Sequence, residues 1–128
     1  MMEVGVLIDN DGQPFYWHQP RNRSVTALPD SLDLWEVIWQ NRHRLAGFAH
    51  SHPGKGKPWP SYTDITTFAA VEAALGKRLS WWITSYNYLV IVHWQGPGEH
   101  EYIERNSFKP QNTPKWVFEL RKRSNYHG

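Results

Sequence analysis

Apolar and polar positions along this 128-residue chain change period several times, and each change marks an element. Residues 3–8 read as a strand, Asp9-Asn-Asp-Gly12 as a turn, and residues 14–18 as the returning arm of a hairpin. Residues 24–28 read as a third short strand. Pro29-Asp30-Ser31 then announces a helix over about 32–42, whose apolar positions Leu32, Trp35, Ile38 and Trp39 recur at helical spacing. Residues 44–52 return to strand character, and a loop rich in glycine and proline follows. Ser61 is placed to cap a second helix over 62–75, with Ile65, Phe68, Ala69 and Leu75 facing inward and Gly76 as its stop. Residues 80–85 and 89–94, apolar and rich in β-branched and aromatic side chains, read as neighbouring strands joined at 86–88. A turn at 95–98, a last strand centred on Tyr102 and Ile103, and a linker at 110–115 lead to a basic segment, 116–123. Its Trp, Phe and Leu are expected to dock as a helix on the body or on a partner. Strands and helices mix without strict alternation, which predicts an α/β fold with a central mixed sheet flanked by helices.

The chemistry is concentrated between Gly47 and Asp64, in Gly-Phe-Ala-His50-Ser-His52-Pro53-Gly-Lys-Gly-Lys-Pro-Trp-Pro-Ser61-Tyr-Thr-Asp64. Side chains two apart on a strand share a face, so His50 and His52 project together at the strand end. Asp64 falls in the first turn of the following helix, from where its carboxylate can face back towards them. Two neutral imidazoles and one carboxylate suit a catalytic Zn2+, which takes three protein ligands and keeps a position open. Each piece alone has an ordinary structural reading, since His-x-His pairs occur on strands by chance and Ser-x-x-Asp is a common helix start.

Together the pieces resemble the signature of the JAMM/MPN (JAB-type) zinc metallopeptidases, His-x-His-Pro, seven residues, then Ser-x-x-Asp, with the gap here running from Gly54 to Pro60. The chain looks like a compact prokaryotic or phage-type member. The resemblance covers about residues 3–105 and implies a single-domain JAB/MPN-like three-layer α/β fold over residues 1–108, followed by a linker and basic segment at 109–128. It implies that His50, His52 and Asp64 bind zinc and that Ser61 helps stabilise an oxyanion. It also implies a glutamate base on an early strand followed by small and aliphatic residues. Glu3-Val-Gly-Val-Leu-Ile fits, 47 positions before His50. The rival, Glu36, sits on the solvated side of the first helix. The implied activity is hydrolysis of peptide or isopeptide bonds, at the C-terminal tail of ubiquitin-like or sulfur-carrier proteins. Two other readings remain open. One is a DNA-associated domain resembling the RadC group, which usually has Asn between the histidines and a shorter gap, whereas Ser51 and seven residues stand here. The other is a non-catalytic MPN scaffold, which the presence of every ligand type counts against.

Composition narrows this further. The chain has no cysteine, which excludes disulfides, thiolate ligands and a cysteine nucleophile. Length and 40% hydrophobic content fit one domain with a core. No basic leader and no apolar run of roughly 20 residues is present, so no signal peptide, membrane span or membrane partner is expected, and a cytoplasmic location is. Net charge is +2, with the basic excess at Arg121-Lys-Arg123, too small a cluster to predict a nucleic-acid partner. Of eight tryptophans, Trp35, Trp39, Trp82 and Trp94 are assigned to the core, while Trp59 in the loop is a candidate substrate contact. His18, His43, His93 and His100 have no partner at metal spacing and read as surface or packing residues.

Overall fold

A computed structural model describes residues 2–96, 102–107 and 113–125. The expected turn at 95–98 and linker at 110–115 lie partly outside the described residues, and His100 wholly so. The elements in chain order are β1 (Gly5–Asp9), β2 (Pro14–His18), α1 (Leu32–Gln40), β3 (Leu45–Ser51), α2 (Tyr62–Leu75), β4 (Ser80–Thr84), β5 (Leu89–Trp94), β6 (Tyr102–Ser107) and α3 (Lys115–Ser124). The strands form one six-stranded sheet in the order β2-β1-β3-β4-β5-β6. Only β3 and β4 pair in parallel, joined by α2 as a crossover, and the other pairings are antiparallel. The class is mixed α/β.

The alternation of strand side chains separates two cores. On one face Leu7, Leu45, Trp81, Ile83 and Val92 pack under Leu34 and Ile38 of α1 and Phe68 and Val71 of α2. On the other, Val4, Val6, Ile8 and Ala49 pack under Trp116, Val117 and Leu120 of α3. The basic terminal segment therefore docks on the body as a helix. Each of its three buried apolar residues removes a side chain from water, worth roughly 1.5–3 kcal/mol for a full-sized aliphatic.

Several local expectations are corrected. Residues 24–28 form no strand, because Ser24 N–H donates to the Ala27 carbonyl at 2.9 Å and Thr26 N–H to Ser24 Oγ at 3.3 Å, closing the segment on itself. The strand expected at 3–8 begins at Gly5, and the one expected at 44–52 ends at Ser51. Trp39 lies outside the core, 55% exposed with the Arg42 guanidinium over its ring, and Leu32 is also exposed. The buried stripe of α1 is Leu34 and Ile38. On α2, Ala69 is exposed, and the inward line continues through Val71 and Glu72 instead.

Glu72 is a buried carboxylate with four donors. It accepts from Leu79 N–H and Trp81 Nε1–H, each at 2.9 Å, from Arg78 Nη1 at 3.0 Å, and from the Tyr102 hydroxyl. These bonds tie the C-terminal half of α2 to β4 and β6. Gly76, at φ 65°, ends the helix in the left-handed region that glycine enters without steric cost. Glu72→Ala leaves the buried donors of Trp81 and Tyr102 unpaired and is expected to lower stability by about 3 kcal/mol in chemical denaturation. Arg78→Ala, whose side chain is 56% exposed, should cost under about 1 kcal/mol.

Candidate metal centre

The site forms where β3 ends and α2 begins. β3 carries His50 as its penultimate residue. His52 stands one position past the strand, held in line by its N–H bond to the Thr84 carbonyl at 2.8 Å. Pro53 cannot prolong the ladder. The loop folds back and is pinned to the β4–β5 turn: Tyr86 N–H donates to the Gly54 carbonyl, Gly56 N–H to Asn87 Oδ1, and Ser85 Oγ–H to the Gly56 carbonyl. Ser61 then caps α2, its Oγ accepting from Asp64 N–H at 3.0 Å while Ser61 N–H donates to Asp64 Oδ2 at 2.9 Å. This reciprocal box fixes the Asp64 carboxylate towards the strand end. Ser61 Oγ acts there as acceptor, so its hydrogen can be turned to a ligand in the cleft.

Three atoms converge. His50 Nε2 and His52 Nε2 lie 3.0 Å apart, His52 Nε2 and Asp64 Oδ2 3.0 Å, and His50 Nε2 and Asp64 Oδ2 3.5 Å. With Asp64 ionised, hydrogens alone do not satisfy all three contacts, because a hydrogen on each Nε2 serves the two bonds to Asp64 but leaves the His50–His52 contact without an acceptor. A cation at their common point takes a lone pair from each. Metal–ligand bonds of about 2.0–2.2 Å in a tetrahedron place donors roughly 3.3–3.6 Å apart, a few tenths of an ångström wider than the two shorter spacings seen here. The donor set therefore fits a divalent metal. His50 Nδ1 is buried without a hydrogen-bond partner, so the outer support of this ligand is incomplete among the described residues.

Glu3 is brought to the same place. Its carboxylate and the two imidazoles offer ligand atoms within 4.8 Å of one another, so Glu3, His50 and His52 also form a group that could hold a metal ion, beside the tighter His50–His52–Asp64 triangle. Glu3 is 6% exposed. Burial pushes its pKa up to about 7, with His52 opposing and Asp64 adding to the rise. Asp64 goes the other way. Burial would raise it, but hydrogen bonds from His50 and His52, together with the His50 charge and the Ser61 N–H, hold it well below the usual carboxylate range. Burial lowers the pKa of His50, favouring the neutral ring a metal needs. In His52 burial also acts downward, but Asp64 and Glu3 outweigh it and the net shift is upward. Glu36 is exposed on α1, outside the cleft.

What holds Glu3 was not legible in the sequence. Val4 N–H donates to Ser51 Oγ at 2.9 Å, Ser51 Oγ–H to Ser124 Oγ at 3.0 Å, and Ser124 Oγ–H to the Met2 carbonyl. This relay runs from β3 through the last turn of α3 and brackets Glu3 on both sides. Glu3 N–H itself donates to the Ser24 carbonyl at 2.8 Å. Gly5, paired with His50, matters as well, because a Cβ there would stand 2.3 Å from the Phe48 ring. The five remaining histidines fall away from the site or outside the described residues, where His100 and His127 lie. His18 is buried with Nε2 on the Pro29 carbonyl, His43 is exposed, and His93 meets Ser80 Oγ.

The site opens into a cleft of about 710 Å3, walled by Val25–Pro29 residues on one side and by Ser61, Thr63 and Thr67 of the α2 side on the other. Trp59 is 59% exposed, with the Lys57 ammonium 4.9 Å from its ring centre. Arg121 and Arg123 are turned inward to bonds, Arg121 with Thr84 and Ser85, Arg123 with Glu119 and Gln19. The basic run is thus a structural feature of α3.

Asp64→Asn keeps the cap geometry but removes the charge facing the two imidazoles, and is expected to weaken binding of a divalent metal at least about 100-fold in calorimetric titration. Ser124→Ala breaks the buried relay and should cost about 1–2 kcal/mol of stability. A scan against protein-family models finds no match to this sequence, and a search of curated proteins finds none either.

Proposed function

We propose that this chain is a zinc metallopeptidase of the JAMM/MPN type, with a JAB/MPN-like fold. The observation that carries the reading is the convergence of His50 Nε2, His52 Nε2 and Asp64 Oδ2 beside a buried glutamate whose pKa sits near 7. Zinc, when bound, supplies Lewis acidity, acidifying water and polarising a carbonyl. Glu3 is suited to the proton work. As the ionised base it takes a proton from the attacking water while the new C–O bond forms at the scissile carbonyl. The same proton then passes to the leaving nitrogen as the C–N bond breaks, so a carboxylic acid and an amine are the products. A base with a pKa near the working pH is the most effective choice for a residue that must both accept and return a proton. Ser61, at the helix start, donates its free hydrogen to the developing oxyanion.

The shape of the cleft supports a substrate class. It is a groove open at the surface, bounded by the segment 25–29 and by α2, and it suits an extended chain more than a compact metabolite. The fitting substrate is the C-terminal tail of a ubiquitin-like or sulfur-carrier protein, joined by a peptide or isopeptide bond, in a cytoplasmic setting. No helix among the described residues is long and apolar enough to cross a membrane, so nothing in them requires a lipid phase. The DNA-associated reading has less support, since Arg121 and Arg123 are engaged within the fold.

Glu3→Gln should reduce hydrolysis of ubiquitin-like fusion substrates by about 10²–10⁴-fold while zinc stays bound, and Glu36→Gln should leave turnover unchanged. Normal turnover in Glu3→Gln, with a loss in Glu36→Gln, would transfer the base role to Glu36. Ser61→Ala should lower kcat by about 10²–10³-fold. It should cost only about 1 kcal/mol of stability as a lost cap, so activity and melting temperature separate its two roles.

A further inference from the structure

The metal cleft does not end at the metal. A second, partly open pocket of about 320 Å3 adjoins it between α1, α2 and the sheet. The two share Leu28, Phe48, Thr67 and Trp81, which form the doorway. Phe48 also stacks against His50, ring centres 6.3 Å apart, so the doorway adjoins a metal ligand. Beyond it the walls are the side chains of Leu34, Ile38, Leu45, Val71 and Leu79, and two polar groups at its edge are already paired. His18 Nε2 meets the Pro29 carbonyl at 2.6 Å, and Trp35 Nε1–H donates to Asp30 Oδ2 at 2.8 Å.

The pocket is partly open at the surface, so its apolar lining is left facing water where a small core would normally be closed by its own side chains. Cavities lined by Leu, Ile and Phe stay dry and take apolar molecules. With His18 Nε2 and Trp35 Nε1 paired and most of the lining aliphatic or aromatic, the chamber favours an apolar occupant. The four residues shared with the cleft place the pocket directly beside the metal site, within reach of a substrate lying in the cleft. From these observations we propose that the chamber is a specificity pocket that receives a large hydrophobic side chain of the substrate, of the Leu or Phe class, from a residue next to the scissile bond. This deepens the metallopeptidase reading and, as regards the scissile bond, rests on it.

The test separates binding from catalysis. The ¹⁵N-labelled protein is titrated with N-acetyl-phenylalaninamide and, in parallel, N-acetyl-alaninamide, following backbone amide shifts. Saturable shifts clustered at Leu34, Ile38 and Val71, seen with the phenylalanine compound and absent with the alanine one, are expected. They should disappear in Thr67→Phe, whose ring blocks the doorway from an exposed position of α2 and whose folding is checked by its melting curve. No shifts there, equal shifts with both compounds, or shifts that survive Thr67→Phe would overturn the pocket. In hydrolysis, peptides differing only by Phe or Ala next to the bond should differ about 10-fold or more in kcat/KM, and Thr67→Phe should bring that ratio to about one. Hydrolysis without any such preference removes the pocket and leaves the metallopeptidase standing. Selective binding with no hydrolysis of either peptide does the reverse.

Discussion

The buried carboxylate of Glu72 sets the geometry on which the rest depends. A charge with so little water around it persists only when its oxygens are fully paired, and here the donors come from α2's own C-terminal loop, from Trp81 on β4 and from Tyr102 on β6. α2 therefore cannot roll or slide on the sheet without breaking that set. Because α2 is the crossover between the parallel strands β3 and β4, fixing its C-terminal half also fixes where its first turn stands. That first turn carries Ser61 and Asp64, and it stands over the end of β3, where His50 and His52 project. In open α/β sheets such strand ends are where ligands collect.

Two carboxylates in one cleft are driven in opposite directions by their surroundings. Asp64 receives hydrogen bonds from two imidazoles and a backbone N–H, so it remains ionised and is suited to hold a cation. Glu3 sits in drier surroundings and rises to about 7, where a group can take a proton and give it back. That separation of roles by environment is the pattern expected of an acid–base site. It is built from remote parts of the chain, since the segment bearing Glu3 is tied to Ser51 and to Ser124 at the end of α3.

Legibility in the sequence followed the range of the interactions. The strand–loop–helix around the site was readable because a two-residue strand period, a proline and a Ser-x-x-Asp cap are local signals. The convergence of the side chains of His50, His52 and Asp64 follows from those signals together with one parallel pairing. The exposure of Trp39 and Ala69 was not readable, because helical periodicity gives a face and leaves its rotation to the tertiary partners. The segment 24–28 has strand composition, but the Ser24 hydroxyl and the Ala27 carbonyl satisfy its backbone locally. The Ser51–Ser124 bond joins residues 73 positions apart and has no sequence signature at all. Glu72 reads as a polar residue on a helix until β4 and β6 are brought against it.

The central claim is that His50, His52 and Asp64 together form one metal site. Its most direct test is X-ray absorption on the protein loaded with one equivalent of zinc at neutral pH. The account predicts about one zinc retained per chain, with nitrogen and oxygen donors at roughly 2.0–2.2 Å and the outer-shell scattering of two imidazole rings, reduced to one ring in His52→Ala. Zinc that is not retained, or a shell of oxygen donors without imidazole scattering, would contradict it.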